Sequence, residues 1–138
     1  MSDSLRLKII ATDKLFYDGE AESIIFPAPD GSRQIMAHHE NMVIAGCEGI
    51  CRIRFEKGGE WRNAVVGRGF VEIKDNTALL ITESAEWPED IDRVRALAAM
   101  ERAKEQLRQD QSIQEYNASR AALARALLRL SQVGDGTD

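Results

Sequence analysis

The chain has 138 residues, of which 43% are apolar and 30% charged, with a formal net charge of −5. That apolar share excludes a chain disordered throughout. Apolar runs such as Met42 to Cys47 fall far short of the roughly 18 residues a membrane helix needs, and the negative charge argues against a general nucleic-acid binder. The opening residues, MSDSLRLKII, lack the basic-then-apolar pattern of a secretory leader, so no secretory route is expected.

Residues 1–87 read as strands. Leu5, Leu7 and Ile9 fall on one face, with Arg6 and Lys8 on the other. Cys51, Ile53 and Phe55 alternate in the same way with Arg52 and Arg54, and residues 64–66, 70–73 and 77–82 are further strand-like runs. Turns are predicted at Asp18-Gly19, Pro29-Asp30-Gly31, Lys57-Gly58-Gly59 and Asp75-Asn76. Short strands at this spacing predict a β-sandwich or flattened barrel. The clearest hairpin turns on Gly58-Gly59. Cys47 and Cys51 are too few for a disulfide framework and are expected as free thiols. His38, His39 and Glu40 are the only metal-type cluster. Read as a strand, neighbouring residues there point to opposite faces, so no metal site is expected.

From Pro88 the texture changes. Residues 89–133 contain neither Gly nor Pro. Pro88 suits a first helical position, and Glu89, Asp90 and Asp92 then put negative charge at the positive end of the helix dipole. Ile91, Val94, Ala98 and Leu107 mark a possible apolar face. Gln109-Asp110-Gln111 reads as a turn. Ser112 with Glu115 three residues on reads as a capping box that starts a second helix, along which Tyr116, Leu123, Leu127 and Leu130 follow at helical spacing. Nine alanines between residues 88 and 132 predict an antiparallel hairpin that packs closely but weakly, since each Ala buries little area. The fold class is therefore α+β, an all-β sandwich (1–87) followed by an all-α hairpin (88–133) and an acidic tail (134–138). Arg120, Arg125 and Arg129 have no acidic neighbour in sequence after Glu115. They form either a solvated face or a row for an anionic partner.

This order of parts resembles the epsilon subunit of the F-type ATP synthase. The run from Leu7 to Gly19 is similar to that family's opening strand and turn, and Val66-Gly67-Arg68-Gly69-Phe70-Val71-Glu72-Ile73 to its Gly-Gly-Phe-rich strand pair. Ile91-Asp92-x-x-Arg95-Ala96 looks like the motif at the start of its first helix, and Ala124-Arg125-Ala126-Leu127-Leu128-Arg129-Leu130 looks like its second helix. The sequence departs at Ile35-Met36-Ala37-His38-His39-Glu40-Asn41, where the family usually has Ile-Leu-Pro-Gly-His-x-Pro. Both prolines are missing and His38 stands for Gly, which is expected to loosen the loop.

The resemblance implies a non-catalytic rotor subunit on the cytoplasmic face of the bacterial plasma membrane, peripheral through its complex. Its sandwich would contact the gamma subunit and the c-ring. Its hairpin would inhibit ATP hydrolysis by the alpha/beta catalytic hexamer through Arg120, Arg125 and Arg129. It also implies ATP as a possible regulatory ligand, with no cofactor required, on Glu86, Ile91, Asp92, Arg95, Ala96, Arg125 and Arg129. Residues four apart share a helix face, so the last two guanidinium groups can converge on phosphate. Glu86 and Asp92 would accept hydrogen bonds from adenine or ribose. The same acidic and basic groups could instead cap and pair within the hairpin. A stand-alone nucleotide sensor or a plain adaptor remains the alternative. Trp87 is expected to pack where sandwich and hairpin join.

Overall fold

Alternation in the opening strand sets its inner face. In β1 (Leu5–Ala11) Leu5, Leu7, Ile9 and Ala11 are buried and Arg6 is exposed, as the two-residue period of a strand requires. The computed structural model describes residues 4–109 and 112–133. Nine further strands follow in chain order: β2 (Lys14–Ala21), β3 (Ser23–Ala28), β4 (Gly31–Met36), β5 (Met42–Gly46), β6 (Gly49–Arg54), β7 (Trp61–Val66), β8 (Gly69–Lys74), β9 (Thr77–Thr82) and β10 (Ala85–Glu86). They form two five-stranded sheets, ordered β2-β1-β9-β8-β5 and β10-β7-β6-β3-β4. β1 and β9 run parallel and the other pairs antiparallel. Their facing sides supply a core that includes Leu7, Ile9, Ile24, Phe26, Ile53 and Val71.

Turn chemistry closes the hairpins. Gly31 (φ 119°) follows the Pro29-Asp30 turn, and Gly58 (φ 78°) sits between β6 and β7. Asp75 and Asn76 both take positive φ, 51° and 60°. That is the geometry of a two-residue turn whose twist matches its flanking strands.

Asp18-Gly19 is not a turn. Both residues lie inside β2, opposite Lys8 and Leu7, and the chain reverses at residues 12–13 instead. A side chain at Gly19 would meet the Tyr17 hydroxyl at 2.8 Å. Tyr17 bends back there to donate to the Glu20 carbonyl at 2.7 Å. Glycine is needed at this point for room rather than for a turn. The register slips nearby. Ile9 faces Tyr17 while Ile10 faces Leu15, which leaves Phe16 as the extra residue of a bulge. Its ring stacks on Trp87 with centroids 4.5 Å apart.

The loop without its prolines is tied down by side chains. His38 and His39 follow β4 rather than lying in a strand. His38 takes φ 65°, the left-handed region that glycine tolerates best. Its N–H donates to Asn76 Oδ1 at 2.7 Å, and the Asp75 N–H donates to Asn41 Oδ1 at 3.2 Å. Asn76 Nδ2 in turn donates to the Ser4 carbonyl at 3.0 Å. The expected loosening is thus countered by two asparagines. His38→Gly should stabilise the fold by about 0.5–1 kcal/mol, because relief of left-handed strain exceeds glycine's added unfolded-state entropy. A denaturant midpoint that falls instead would show that the imidazole contributes more than its backbone strain costs.

Cys51 is wholly buried in β6, and burial pushes its thiol from the ordinary 9.0 up to about 12. Because thiolate is the reactive form, Cys51 should resist alkylation at pH 8 in the native protein and react once the chain is unfolded. Fast native labelling would mean that the sandwich opens readily. The raised value also sets a sign. Between about pH 9 and 12 the unfolded chain loses this proton while the folded chain keeps it, so stability falls as pH rises.

Residues 88–138 form a second unit, divided from residues 1–87. It holds a 3-10 turn at Pro88–Asp90, then α1 (Arg93–Leu107) and α2 (Ile113–Val133). The helix therefore starts later than Pro88. Asp92 (φ −80°, ψ 108°) is its cap, and Oδ1 accepts the Arg95 N–H at 3.1 Å. A capping aspartate competes with helix continuation, so Glu89 and Asp90 stay ahead of the first turn. Ser112 caps α2, accepting the Glu115 N–H on Oγ at 3.1 Å.

The inner faces also differ from expectation. Ala96 and Ala103 are buried on α1, and Ser119 and Ala126 on α2. Val94 is 75% exposed and Leu127 47%, and Tyr116 and Ala98 also face out. The helices turn their small residues inward because that allows close approach over the whole seam. Leu97, Met100, Leu123 and Leu130 lie half-buried. Ser119 Oγ donates across the seam to Gln106 Oε1 at 3.4 Å. Of the expected turn, residues 110 and 111 lie outside the described residues, as does the tail at 134–138.

Candidate functional site

Two regions carry chemistry that the cores do not use. The first is the outer face of the β2-β1-β9-β8-β5 sheet. Register aligns Leu15, Ile10, Ile81, Phe70 and Ala45 in one row across all five strands. Leu15 is 56% exposed and Phe70 42%. In the next row Leu79 and Glu72 lead to Val43, which is 65% exposed. Large apolar side chains aligned in this way on a surface mark an interaction face. Toward the other end of the sheet the rows become charged. Lys8 lies opposite Asp18, and Arg6 Nη2 reaches Asp18 Oδ1 at 2.6 Å. An open groove of about 290 Å³ there is lined by Lys8, Glu72, Lys74, Asp75, Thr77 and Leu79. Sequence reasoning missed the apolar row, although a signal existed. The run Ala78-Leu79-Leu80-Ile81 does not alternate, so β9 has to be apolar on both faces.

Trp87 belongs to the sandwich unit. It stacks on Phe16, and the Arg62 guanidinium lies 4.0 Å from its ring centroid. Trp61 is flanked by the guanidinium groups of Arg52 and Arg54, at 5.0 and 4.9 Å. Arg54 also holds the buried Glu22, Nη2 to Oε1 at 2.7 Å. Among the described residues no three His, Cys, Asp or Glu side chains gather as a metal site. No helix among them is long and apolar enough to cross a membrane.

The second region is the helical unit. Ile91 and Ala96 are buried, so they offer shape rather than polar contacts. Asp92 spends Oδ1 on the cap, and the Arg95 side chain is exposed. On α2, Arg125 is exposed and Arg129 half-buried. The seam places these residues along the hairpin. Ser119 meets Gln106, and counting equally away from that pair brings Arg129 level with Ala96. Arg129 therefore shares the Asp92–Ala96 end of the hairpin, and Arg125 lies one turn further in. Arg120 is nearer the middle of α2, its guanidinium 5.9 Å from the Tyr116 ring centroid. Glu86 lies in the other unit, paired with Val65 in β10 and β7.

Two packed sheets followed by an antiparallel helix pair with an alanine-lined seam define the class, a β-sandwich domain followed by a helical hairpin. Family models place it further. The ATP synthase, Delta/Epsilon chain, beta-sandwich domain matches residues 4–88, and the ATP synthase, Delta/Epsilon chain, long alpha-helix domain matches residues 89–134. The chain belongs to the ATP synthase delta/epsilon chain family. It is 41% identical over 124 residues to an ATP synthase epsilon chain of Caldicellulosiruptor bescii, covering 90% of this chain and 89% of that one. It is 42% identical over 125 residues to one from Ruminiclostridium cellulolyticum, covering 91% and 92%. Its fold is similar to a chain of the Euglena gracilis mitochondrial ATP synthase, with a TM-score of 0.74 at 22% identity over 89% of this chain and 77% of that one.

Proposed function

We propose that the chain is a central-stalk rotor subunit of an F-type ATP synthase, with no chemistry of its own. In this reading the sandwich links the gamma subunit to the c-ring, so that rotation reaches the alpha/beta catalytic hexamer. The protein is then peripheral, held at the cytoplasmic face of a bacterial plasma membrane by its complex. The observation that carries the reading is the apolar row from Leu15 through Ile10, Ile81 and Phe70 to Ala45, a face suited to a protein partner.

Regulation is the role of the helical unit. Its retracted form would bind ATP as a regulatory ligand, with phosphate on Arg125 and Arg129. Glu86, Ile91, Asp92, Arg95 and Ala96 would form the rest of the site. Its extended form would set Arg120, Arg125 and Arg129 against acidic surface in the head and impede hydrolysis. The two states compete for the same arginines, so ATP shifts the balance only by its preference for one state. Exposed Arg125 and the alanine seam, which buries little area, support this reading.

The test is ATP hydrolysis by a catalytic head with gamma. Activity is compared with no addition, with the full chain and with residues 1–87 alone. Inhibition by the full chain only is the expected result. If neither protein binds or changes the rate, the rotor role falls and a stand-alone nucleotide sensor replaces it. Arg125→Ala should weaken both ATP binding and inhibition by roughly tenfold or more, the scale of one charge-assisted hydrogen bond. If both stay unchanged, Arg125 has no part in regulation.

A further inference from the structure

We propose that the open edge of β5 accepts an extended segment of the neighbouring stalk subunit as a sixth strand of its sheet. This rests on the rotor reading above and adds the mode of contact. The two sheets end on β2, β5, β10 and β4. A sheet edge offers unpaired N–H and C=O groups to any passing strand, and soluble proteins usually guard it with charge, bulges or short length. Three of these edges are guarded. β2 carries Lys14, Asp18, Glu20 and the bulge at Phe16. β4 is polar over Ser32, Arg33 and Gln34, with Arg33 bonded to Asp30 at 2.8 Å. β10 is two residues long.

β5 has no charge, proline or bulge along Met42–Gly46, and it is closed only toward its C-terminal end, where β3 approaches and the Cys47 N–H donates to the Pro27 carbonyl at 2.8 Å. Its pairing to β8 runs without a slip from Met42–Ile73 to Gly46–Gly69. Met42 and Ile44 pack against the core yet stay half-buried, and Val43 is largely exposed. Ala45 ends the apolar row, and Val43 stands beside it.

These features select the occupant. An open, regular edge is completed by backbone hydrogen bonds, which an extended strand supplies and a docked helix does not. A neutral edge favours an uncharged segment. Continuity of the row favours apolar side chains at alternate positions, those on the outer side of the sheet.

The experiment is amide hydrogen exchange on the full-length chain at low concentration, alone and with purified gamma subunit. The amides of residues 42–46 that do not bond β8 should exchange at least tenfold more slowly in the complex. If gamma binds and those amides stay fast, the strand proposal is overturned while the rotor reading stands. If gamma does not bind at all, the rotor reading falls and takes the proposal with it. Slow exchange in the free chain that fades on dilution would make a second copy the occupant and overturn the proposal. Val43→Lys gives a second check. Val43 faces Glu72 on β8, so a lysine there finds a carboxylate and the fold should persist. It should weaken gamma binding at least tenfold, and unchanged affinity together with unchanged exchange protection would overturn the added strand.

Discussion

Gly69→Ala is expected to destabilise the sandwich by about 3 kcal/mol or more, at the upper end of what overpacking costs. A Cβ at Gly69 would overlap the Ile81 carbonyl oxygen and lie 2.8 Å from the Ile81 carbonyl carbon and Thr82 Cα. All of these are backbone atoms, so no rotamer change relieves the clash. The strands around it are pinned. The Glu83 N–H donates to the Arg68 carbonyl and the Gly67 N–H to the Ser84 carbonyl, both at 2.9 Å. The Thr82 hydroxyl lies 3.0 Å from the Gly67 carbonyl. Gly46, which faces Gly69 from β5, is the control. A Cβ there meets nothing nearer than 3.6 Å, so Gly46→Ala should cost less than about 1 kcal/mol. Chemical denaturation followed by Trp61 fluorescence reads both. Equal midpoints for the two variants would mean that β8 and β9 separate easily enough to absorb the clash at Gly69.

The same strands show what sequence could and could not give. β1 was legible because one side of it is buried and its alternation is clean. The hairpin turns at Gly31, Gly58 and Asp75-Asn76 were legible because each needs φ values that few residues accept. Asp18-Gly19 misled because a glycine also serves where a neighbouring side chain needs room, and only three-dimensional contact separates the two uses. The start of α1 was misplaced because Pro88 and Asp92 are both good start signals, and the capping bond decides between them. Helix faces were the least legible part. Hydrophobic spacing finds the largest apolar side chains, whereas an alanine seam buries the smallest. In the candidate site, local motif residues such as Asp92 and Arg95 were readable at their positions. The apolar row was not, because it combines five strands that are distant in sequence and adjacent only through register.

Ala103→Leu, and separately Ala126→Leu, should open the helical hairpin while leaving the sandwich intact. Each residue is buried where α1 meets α2. A leucine adds three carbons to a seam whose width is set by methyl groups, and overpacking of this kind costs about 1–3 kcal/mol. The helices have 15 and 21 residues, and helices in proteins draw most of their stability from packing of one face rather than from propensity. Little other stability is available to absorb the loss. The helical circular-dichroism transition should therefore fall by roughly 5 °C or more, with the denaturant midpoint reported by buried Cys51 unchanged. Val94→Ala, on the outward side, should move neither. Function supplies the second readout. If the retracted hairpin is the state that binds ATP, loosening its seam removes part of that preference, so either leucine variant should need more ATP to relieve the same inhibition. A leucine variant that melts like the parent would show that the helices part without cost, and the seam could then hold no equilibrium for ATP to shift.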